Sequence, residues 1–288
     1  MRIGTFATFM SPLATPAFIA DFGRRAEAAG LDSIWMGEHV VLFDRTEFPY
    51  PGSRDGKLPV PAGGGMLDTV ATFGFLAAAT KQIRFGTGIT LISQRNPLYT
   101  AKEFATLDWL SGGRIDFGIG VGWCKEEVVA SGYSWHDRGA RSDEFLELVT
   151  ALWTQPLASY HGKHFQVAEC RLDPKPVQQP HLPILVGGHS AAALRRAARY
   201  GTGWYGFAID PGQTAAVLRR LDVALAAEGR SRAGFEIVIT PPYRLTDDML
   251  REYKDLGVDR VIAQLGSQKP DAVGAKLAEL ERFASVAA

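Results

Sequence analysis

Cysteine is nearly missing from this chain: two residues, Cys124 and Cys170, in 288. Two thiols cannot staple a fold of this size. A disulfide scaffold is therefore excluded, and a reducing compartment is expected. An excess of charge of either sign is also missing, since 31 Lys and Arg balance 31 Asp and Glu. Nucleic acid and anionic membranes both select basic chains, so neither is expected as a partner. No apolar run reaches the ~18 residues of a membrane span. Met1–Phe6 opens directly as a strand, without the charged and apolar regions of a signal peptide, so a cytoplasmic location is expected. No composition shift marks a boundary, and residues 1–288 read as one domain.

Familiar catalytic signatures are missing as well. Gly118, Gly120 and Gly122 make G-x-G-x-G followed by Trp123, which is not the dinucleotide fingerprint. There is no Walker A motif and no G-x-S-x-G elbow. Neither H-x-H nor H-E-x-x-H occurs, and His161 and His164 lack a carboxylate at ligand spacing, so no metal is expected.

What is present is an alternation of strands and helices. The central stretch is Arg114–Glu127, RIDFGIGVGWCKEE. Ile115, Phe117, Ile119 and Val121 alternate with Asp116, Gly118, Gly120 and Gly122, the period of a strand. A strand face without side chains marks a bulge, a bend or close approach by a ligand. The acidic pair Glu126 and Glu127 then opens a helix, where the dipole favours it.

Around this unit the pattern predicts strands at Ile3–Phe9, Asp32–Gly37, Ile83–Ile92, Leu182–Val186, Gly203–Ile209, Phe235–Thr240 and Arg260–Leu265. Helices are predicted at Pro16–Ala29, Leu67–Thr80, Pro97–Leu110, Ala191–Tyr200, Thr214–Glu228, Asp247–Leu256 and Pro270–Phe283, with two more between Glu126 and Trp153. Eight strand–helix repeats imply an α/β chain closed as a (β/α)8 TIM barrel, with an open doubly wound sheet as the rival. Two insertions interrupt the repeat. One is the Pro- and Gly-rich stretch Val41–Gly65 after strand two, and the other is a hairpin over Tyr160–Cys170 after strand four. A loop as long as the first often serves as a lid.

In such a barrel the chemistry gathers where the strands end. Glu38-His39 follows strand two and offers an acid–base pair, although a histidine there can also be simple packing. Ser93, Gln94, Arg95 and Asn96 follow strand three. Gly187-Gly188-His189-Ser190 follows strand five and opens a helix, an arrangement that suits phosphate or, equally, a turn capped by Ser190. Asp210 follows strand six, and Gly266-Ser267-Gln268 follows strand eight. Cys124, at a helix start, reads as a packed thiol or as one with a lowered pKa. Phe43, Phe48, Tyr50, Trp123 and Trp135 suit an apolar substrate pocket or lid packing.

Together Glu38-His39, IRFGTGITLISQRNP (Ile83–Pro97), Ser111-Gly-Gly-Arg114 leading into FGIGVGW, and ILVGG before a helix resemble the bacterial luciferase-like flavin family across essentially the whole chain. The long second loop and GVGWCKEE most resemble the subgroup assigned to the deazaflavin coenzyme F420. The resemblance implies a barrel with the cofactor across its carboxyl face and His39 as the active-site histidine, with Glu38 setting its tautomer. It implies a non-prolyl cis peptide near Gly88, Ile89 and Thr90. It also implies cofactor contacts from Gly120, Gly122 and Glu126 or Glu127, and a phosphate held by Gly187, Gly188, His189 and Ser190.

With F420 the implied activity is an oxidoreductase passing hydride to or from a small organic substrate. With FMN it is a monooxygenase using reduced flavin and O2, and a catalytically silent flavin-binding barrel is the third possibility. Trp123 stands where some deazaflavin enzymes are polar. Arg45, Arg54, Lys57 and Lys125 lie in segments that could meet the carboxylates of the deazaflavin tail. A homodimer is expected, as is common in this family and among soluble proteins.

Overall fold

The computed structural model describes residues 1–53, 55–60, 63–265 and 270–287. Arg54 and Gly266-Ser267-Gln268, singled out above, lie outside the described residues. Eight parallel strands form the centre: β1 (Arg2–Phe6), β2 (Ser33–Met36), β3 (Arg84–Thr87), β4 (Ile115–Gly120), β5 (Ile184–Gly187), β6 (Gly203–Phe207), β7 (Glu236–Thr240) and β8 (Arg260–Gln264). Each pairs with the next and β8 pairs with β1. Phe117, Gly118 and Ile119 pair with Ile184, Leu185 and Val186, so the ring closes and the open-sheet rival is excluded. The fold is a (β/α)8 barrel.

The outer ring is α1 (Pro16–Ala28), α2 (Thr69–Ala79), α3 (Pro97–Ser111), α4 (Lys125–Ala130), α5 (Arg138–Thr154), α6 (Ala191–Tyr200), α7 (Pro211–Ala227), α8 (Asp247–Asp255) and α9 (Pro270–Ala287). Their starts follow local chemistry. Thr15 Oγ1 accepts from Phe18 N at 3.2 Å and Asn96 Oδ1 from Leu98 N at 2.9 Å, each with Pro next in the chain. Helix α7 begins at Pro211, ahead of the expected Thr214, because Asp210 and Gln213 form a reciprocal capping box. No helix among the described residues is long and apolar enough to cross a membrane.

Strand three departs most from expectation. It is not continuous over Ile83–Ile92. It stops at Thr87, the Gly88–Ile89 peptide is cis, Thr90 and Leu91 re-pair with Ile119 and Gly120, and Ile92–Gln94 form a 3-10 turn.

Inward residues of the barrel stack in three layers. At the amino end Asp116 is fully buried between Arg84 and Arg260, with Oδ1 2.5 Å from Arg84 Nη2 and Oδ2 2.5 Å from Arg260 Nη1. Burial pushes the Asp116 carboxyl up, but the two guanidinium groups more than offset this and hold it below the usual range. The middle layer is Trp35, Leu185, Tyr205, Val238 and Ile262, with Trp35 stacked on Tyr205 at 5.1 Å. The top layer is one-sided. Phe6 and Phe207 fill one half, 5.8 Å apart. The other half carries glycine at the ends of four successive strands: Gly37, Gly88, Gly120 and Gly187.

Both insertions form as expected, with shifted bounds. Ala158–His161 and Gln166–Cys170 make the hairpin, tied to α5 because Glu144 accepts from the N–H groups of Lys163, His164 and Phe165. The long loop after β2 closes where Gly65–Met66 pairs antiparallel with Met10–Ser11.

Candidate active site

The glycine-lined half of the top layer is filled by the bulge after β3. A Cβ on Gly120 would lie 1.9 Å from Ile89 Cδ1, one on Gly187 3.0 Å from Ile89 Cγ2, and one on Gly37 3.3 Å from Gly88 O. Gly118 is tighter still, since its Cβ would lie 1.8 Å from Thr87 O. These glycines therefore clear room for protein, and Ile89 lies directly against Gly120. Gly122, at φ 79°, turns the chain out of β4, and Thr90 is buried in the short re-pairing.

Glu38 and His39, just beyond β2, reach different partners. Glu38 turns toward the bulge. Its Oε2 accepts from Leu91 N at 2.8 Å, and its Oε1 from Arg95 Nε at 2.7 Å. Arg95 also reaches Glu103 at 2.8 Å. Burial raises the Glu38 carboxyl, and the Arg95 guanidinium and the Leu91 N–H oppose that rise.

The expected pairing of Glu38 with His39 is not formed. His39 Nδ1 instead lies 2.7 Å from Oε2 of Glu127, whose side chain is 1 % exposed. Glu127 Oε1 accepts from Val40 N at 2.9 Å and Val41 N at 3.4 Å. A carboxylate only accepts, so Nδ1 carries the hydrogen, and among the described residues the hydrogen bond of the His39 side chain is the one made by Nδ1. Its neighbour Glu126 points to the lid. Glu126 Oε1 accepts from Glu47 N at 2.8 Å, and Oε2 lies 3.6 Å from Cys124 Sγ. Cys124 is a packed thiol. Burial pushes it up to about 11, which removes the low-pKa alternative.

The lid lies over this corner. Trp123 stands edge-on to His39 at 5.9 Å and to Tyr50 at 5.4 Å, while Phe48 stacks on Trp135 at 5.6 Å. Lys125 pairs with Glu47. Burial raises the Tyr50 hydroxyl. Trp123 Nε1 is buried with no hydrogen-bond partner among the described residues.

At the turn after β5, Gly188 has φ 109° and is exposed, and its carbonyl accepts from Trp204 Nε1 at 2.8 Å. Ser190 Oγ accepts from Ala193 N at 3.1 Å, so it is the N-cap of α6 and its own hydroxyl hydrogen is free to donate. His189 is packed edge-on to Trp204 at 6.0 Å. Its Nε2 is buried without a partner, and burial and then Arg220 hold its pKa below the usual value. His161 and His164 lie on the hairpin, His161 bonded to Gln166 and His164 3.7 Å from Asp137.

A cleft of about 640 Å³ opens at the opposite end of the barrel, beside Arg2, Arg232, Glu236 and Asp259. Its polar groups are engaged within the chain. Arg2 Nη2 lies 2.6 Å from Glu236, and Asp259 accepts from Ile237 N at 2.8 Å. At the carboxyl end, among the described residues, Gln94 Nε2, Trp123 Nε1 and His189 Nε2 are buried polar atoms without a hydrogen-bond partner.

A family model described as luciferase-like monooxygenase matches residues 1–283. The chain belongs to the luciferase-like monooxygenase family. It is 31 % identical over 274 residues to an uncharacterized protein of Mycobacterium tuberculosis, covering 93 % of each. Over 133 residues it is 40 % identical to an FMNH2-dependent dimethylsulfone monooxygenase of Pseudomonas putida, covering 45 % of this chain and 36 % of that one. Among solved structures, an F420-dependent secondary alcohol dehydrogenase in complex with an F420–acetone adduct superposes with a TM-score of 0.79 at 19 % identity, covering 100 % of this chain and 99 % of that one. That likeness is one of fold.

Proposed function

We propose that this luciferase-like protein is an oxidoreductase that passes hydride between the deazaflavin F420 and a small uncharacterised organic substrate, with His39 exchanging the substrate proton. The observation that carries this is the open Nε2 of His39, oriented by a buried carboxylate at the barrel mouth. The residues present fit a planar, phosphate-bearing group. Ile89 stands up from the mouth as an apolar floor, and Trp123 Nε1 is a buried donor in want of an acceptor. The exposed turn at Gly188 opens α6, where unpaired N–H groups favour an anion.

When bound, the deazaflavin supplies the hydride chemistry. The chain does the rest. Glu127 holds the His39 ring with Nδ1 protonated, so that Nε2 gives or takes the proton of the substrate atom beside the hydride centre. Trp123, Tyr50 and Phe48 exclude water from above. Glu38 and Arg95 fix the bulge at Leu91, and Ser190 and the Gly187–Gly188 turn would hold the phosphate. The F420 reading rests on the second loop and the Gly120–Glu127 run, with Arg45 and Lys57 exposed in that loop for the carboxylate tail.

Titrating purified protein with F420 and with FMN, following fluorescence, tests the cofactor. Saturable F420 binding, with His39→Ala binding normally but losing turnover, is expected. The partial match to an FMNH2-dependent relative favours monooxygenase chemistry if FMN alone binds. Binding of neither returns the barrel to a silent role, and full turnover by His39→Ala would overturn the proton-exchange role.

A further inference from the structure

An indole N–H can only donate, so a buried tryptophan needs an acceptor. Of the six tryptophans, Trp35, Trp153 and Trp204 lie in the core with that need met inside the chain. Trp35 Nε1 donates to Ser33 Oγ at 2.9 Å, Trp153 Nε1 to Ala101 O at 2.9 Å and Trp204 Nε1 to Gly188 O at 2.8 Å. Trp109, 58 % exposed on α3, faces water. Trp123 breaks the pattern, since its Nε1 is buried without a partner among the described residues. A buried donor left unmet costs free energy and calls for an explanation. Its surroundings supply one. Trp123 stands at the barrel mouth, edge-on to His39 at 5.9 Å, and Tyr50 of the long loop lies edge-on to it at 5.4 Å.

We propose that Trp123 is a catalytic residue whose indole N–H donates to the substrate oxygen beside His39, and that the substrate is uncharged. The inference rests on the proton-exchange role given to His39 above and adds a second group on the same atom. A donor fixed beside that oxygen stabilises the charge that builds there as the proton moves. The two rings come from different strand–helix units, His39 from the exit of β2 and Trp123 from the exit of β4. Both are held. Glu127 fixes the histidine, and Ser93 Oγ donates to Val121 O at 2.6 Å, which ties the β4 exit to the turn after the bulge.

Charge sets the substrate class. The Glu127 carboxylate is buried against His39, Glu126 precedes it in the same turn, and Lys125 is drawn away to Glu47. Arg95, at the exit of β3, is held between Glu38 and Glu103. The field beside the histidine is therefore negative, and a carboxylate or phosphate placed there would be repelled. An acceptor that enters this corner is an uncharged oxygen, that of a carbonyl or a hydroxyl. Its apolar body has a floor in Phe6, Phe207 and Ile89, which pack together on the middle layer of the barrel.

Magnetic resonance of the full-length chain, isotope-labelled at the indole nitrogens, tests the proposal. Cyclohexanone is the uncharged probe and cyclohexanecarboxylate its anionic counterpart. Trp123→Phe identifies the Trp123 indole resonance by its loss, and the remaining indole resonances at their parent positions show that the variant folds. In the free protein the Trp123 proton is expected upfield of those of Trp35, Trp153 and Trp204, which are hydrogen-bonded. Cyclohexanone is expected to move it downfield saturably, and cyclohexanecarboxylate to bind at least tenfold more weakly. His39→Ala is expected to weaken the cyclohexanone titration about threefold or more, the loss of one hydrogen bond. A Trp123 resonance already downfield in the free protein, or unmoved by cyclohexanone, overturns the proposal. One that moves with F420 and not with the ketone gives the donor to the cofactor and overturns it too. If F420 fails to bind in the fluorescence titration while the ketone still moves Trp123, the cofactor reading fails and the assignment of Trp123 stands.

Discussion

Glu127 and His39 stand 88 positions apart in the chain and 2.7 Å apart in space, the carboxylate buried at the first turn of α4 and the imidazole at the exit of β2. The carboxylate is also committed to the backbone N–H of Val40. The ring that faces the barrel mouth is therefore held by a group that cannot swing away without uncapping the start of the lid.

Glu127→Gln keeps size and the acceptor for Val40 but can present its amide nitrogen to Nδ1, which favours the wrong tautomer. General acid–base groups contribute about 10²–10⁴ in rate. Turnover is expected to fall by ~10²-fold or more while the cofactor dissociation constant stays within about twofold. Steady-state kinetics beside a fluorescence titration measure both. A parallel loss of binding would mean that Glu127 serves the fold rather than the proton.

The barrel was legible in the sequence because its signals are local: eight apolar strands, each followed by a helical stretch, although the capping box of Asp210 and Gln213 was not, so that the start of α7 fell at Thr214 instead of Pro211. The identity of the histidine's partner was not legible. Glu38 is adjacent in sequence, but its carboxylate is engaged by Leu91 N and Arg95, and the real partner arrives from a different strand–helix unit. The glycines of β4 were legible as absences of side chain, yet they make room for Thr87 at the end of the neighbouring strand and Ile89 in the bulge after it. Helix α2 gave no warning either, since a charge-free apolar helix reads as buried until the fold shows that Phe75 faces out.

Gly120 and Ile89 form a coupled pair. Gly120→Ala places a methyl group 1.9 Å from the original Ile89 Cδ1 position. Overpacking of this kind costs about 1–3 kcal/mol and displaces the floor of the proposed cofactor site. A lower melting temperature and weaker cofactor binding are expected, both restored in part by adding Ile89→Ala. A double-mutant cycle reads the coupling directly, and strict additivity would mean that the two residues do not share the space.

Asp116 governs acid stability. Its carboxyl is held below the ordinary aspartate value, so folding is favoured by its ionised form. That contribution is fully present above about pH 4 and disappears as the pH falls through the depressed folded value. Asp116→Asn leaves Arg84 and Arg260 without their shared anion, a loss of about 3–5 kcal/mol at neutral pH. The melting temperature is expected to drop by roughly 10 °C, with the difference from the parent shrinking as the pH approaches 3. A variant equally destabilised at pH 3 and pH 7 would show that shape rather than charge matters at this position.

Ser190 has two readings, a helix cap and a phosphate ligand, and two substitutions separate them. Ser190→Ala removes both functions. It is expected to cost about 1 kcal/mol of stability and to weaken cofactor binding. Ser190→Asp keeps a side-chain oxygen for Ala193 N and is an equally good cap, but it sets a negative charge where the phosphate is proposed to lie. It should therefore melt with the parent protein while binding cofactor at least tenfold more weakly, in a manner that added salt partly relieves. Thermal melts and titrations at low and high ionic strength give the two numbers. If Ser190→Asp binds as tightly as the parent, the turn is a cap alone and the anion is held elsewhere.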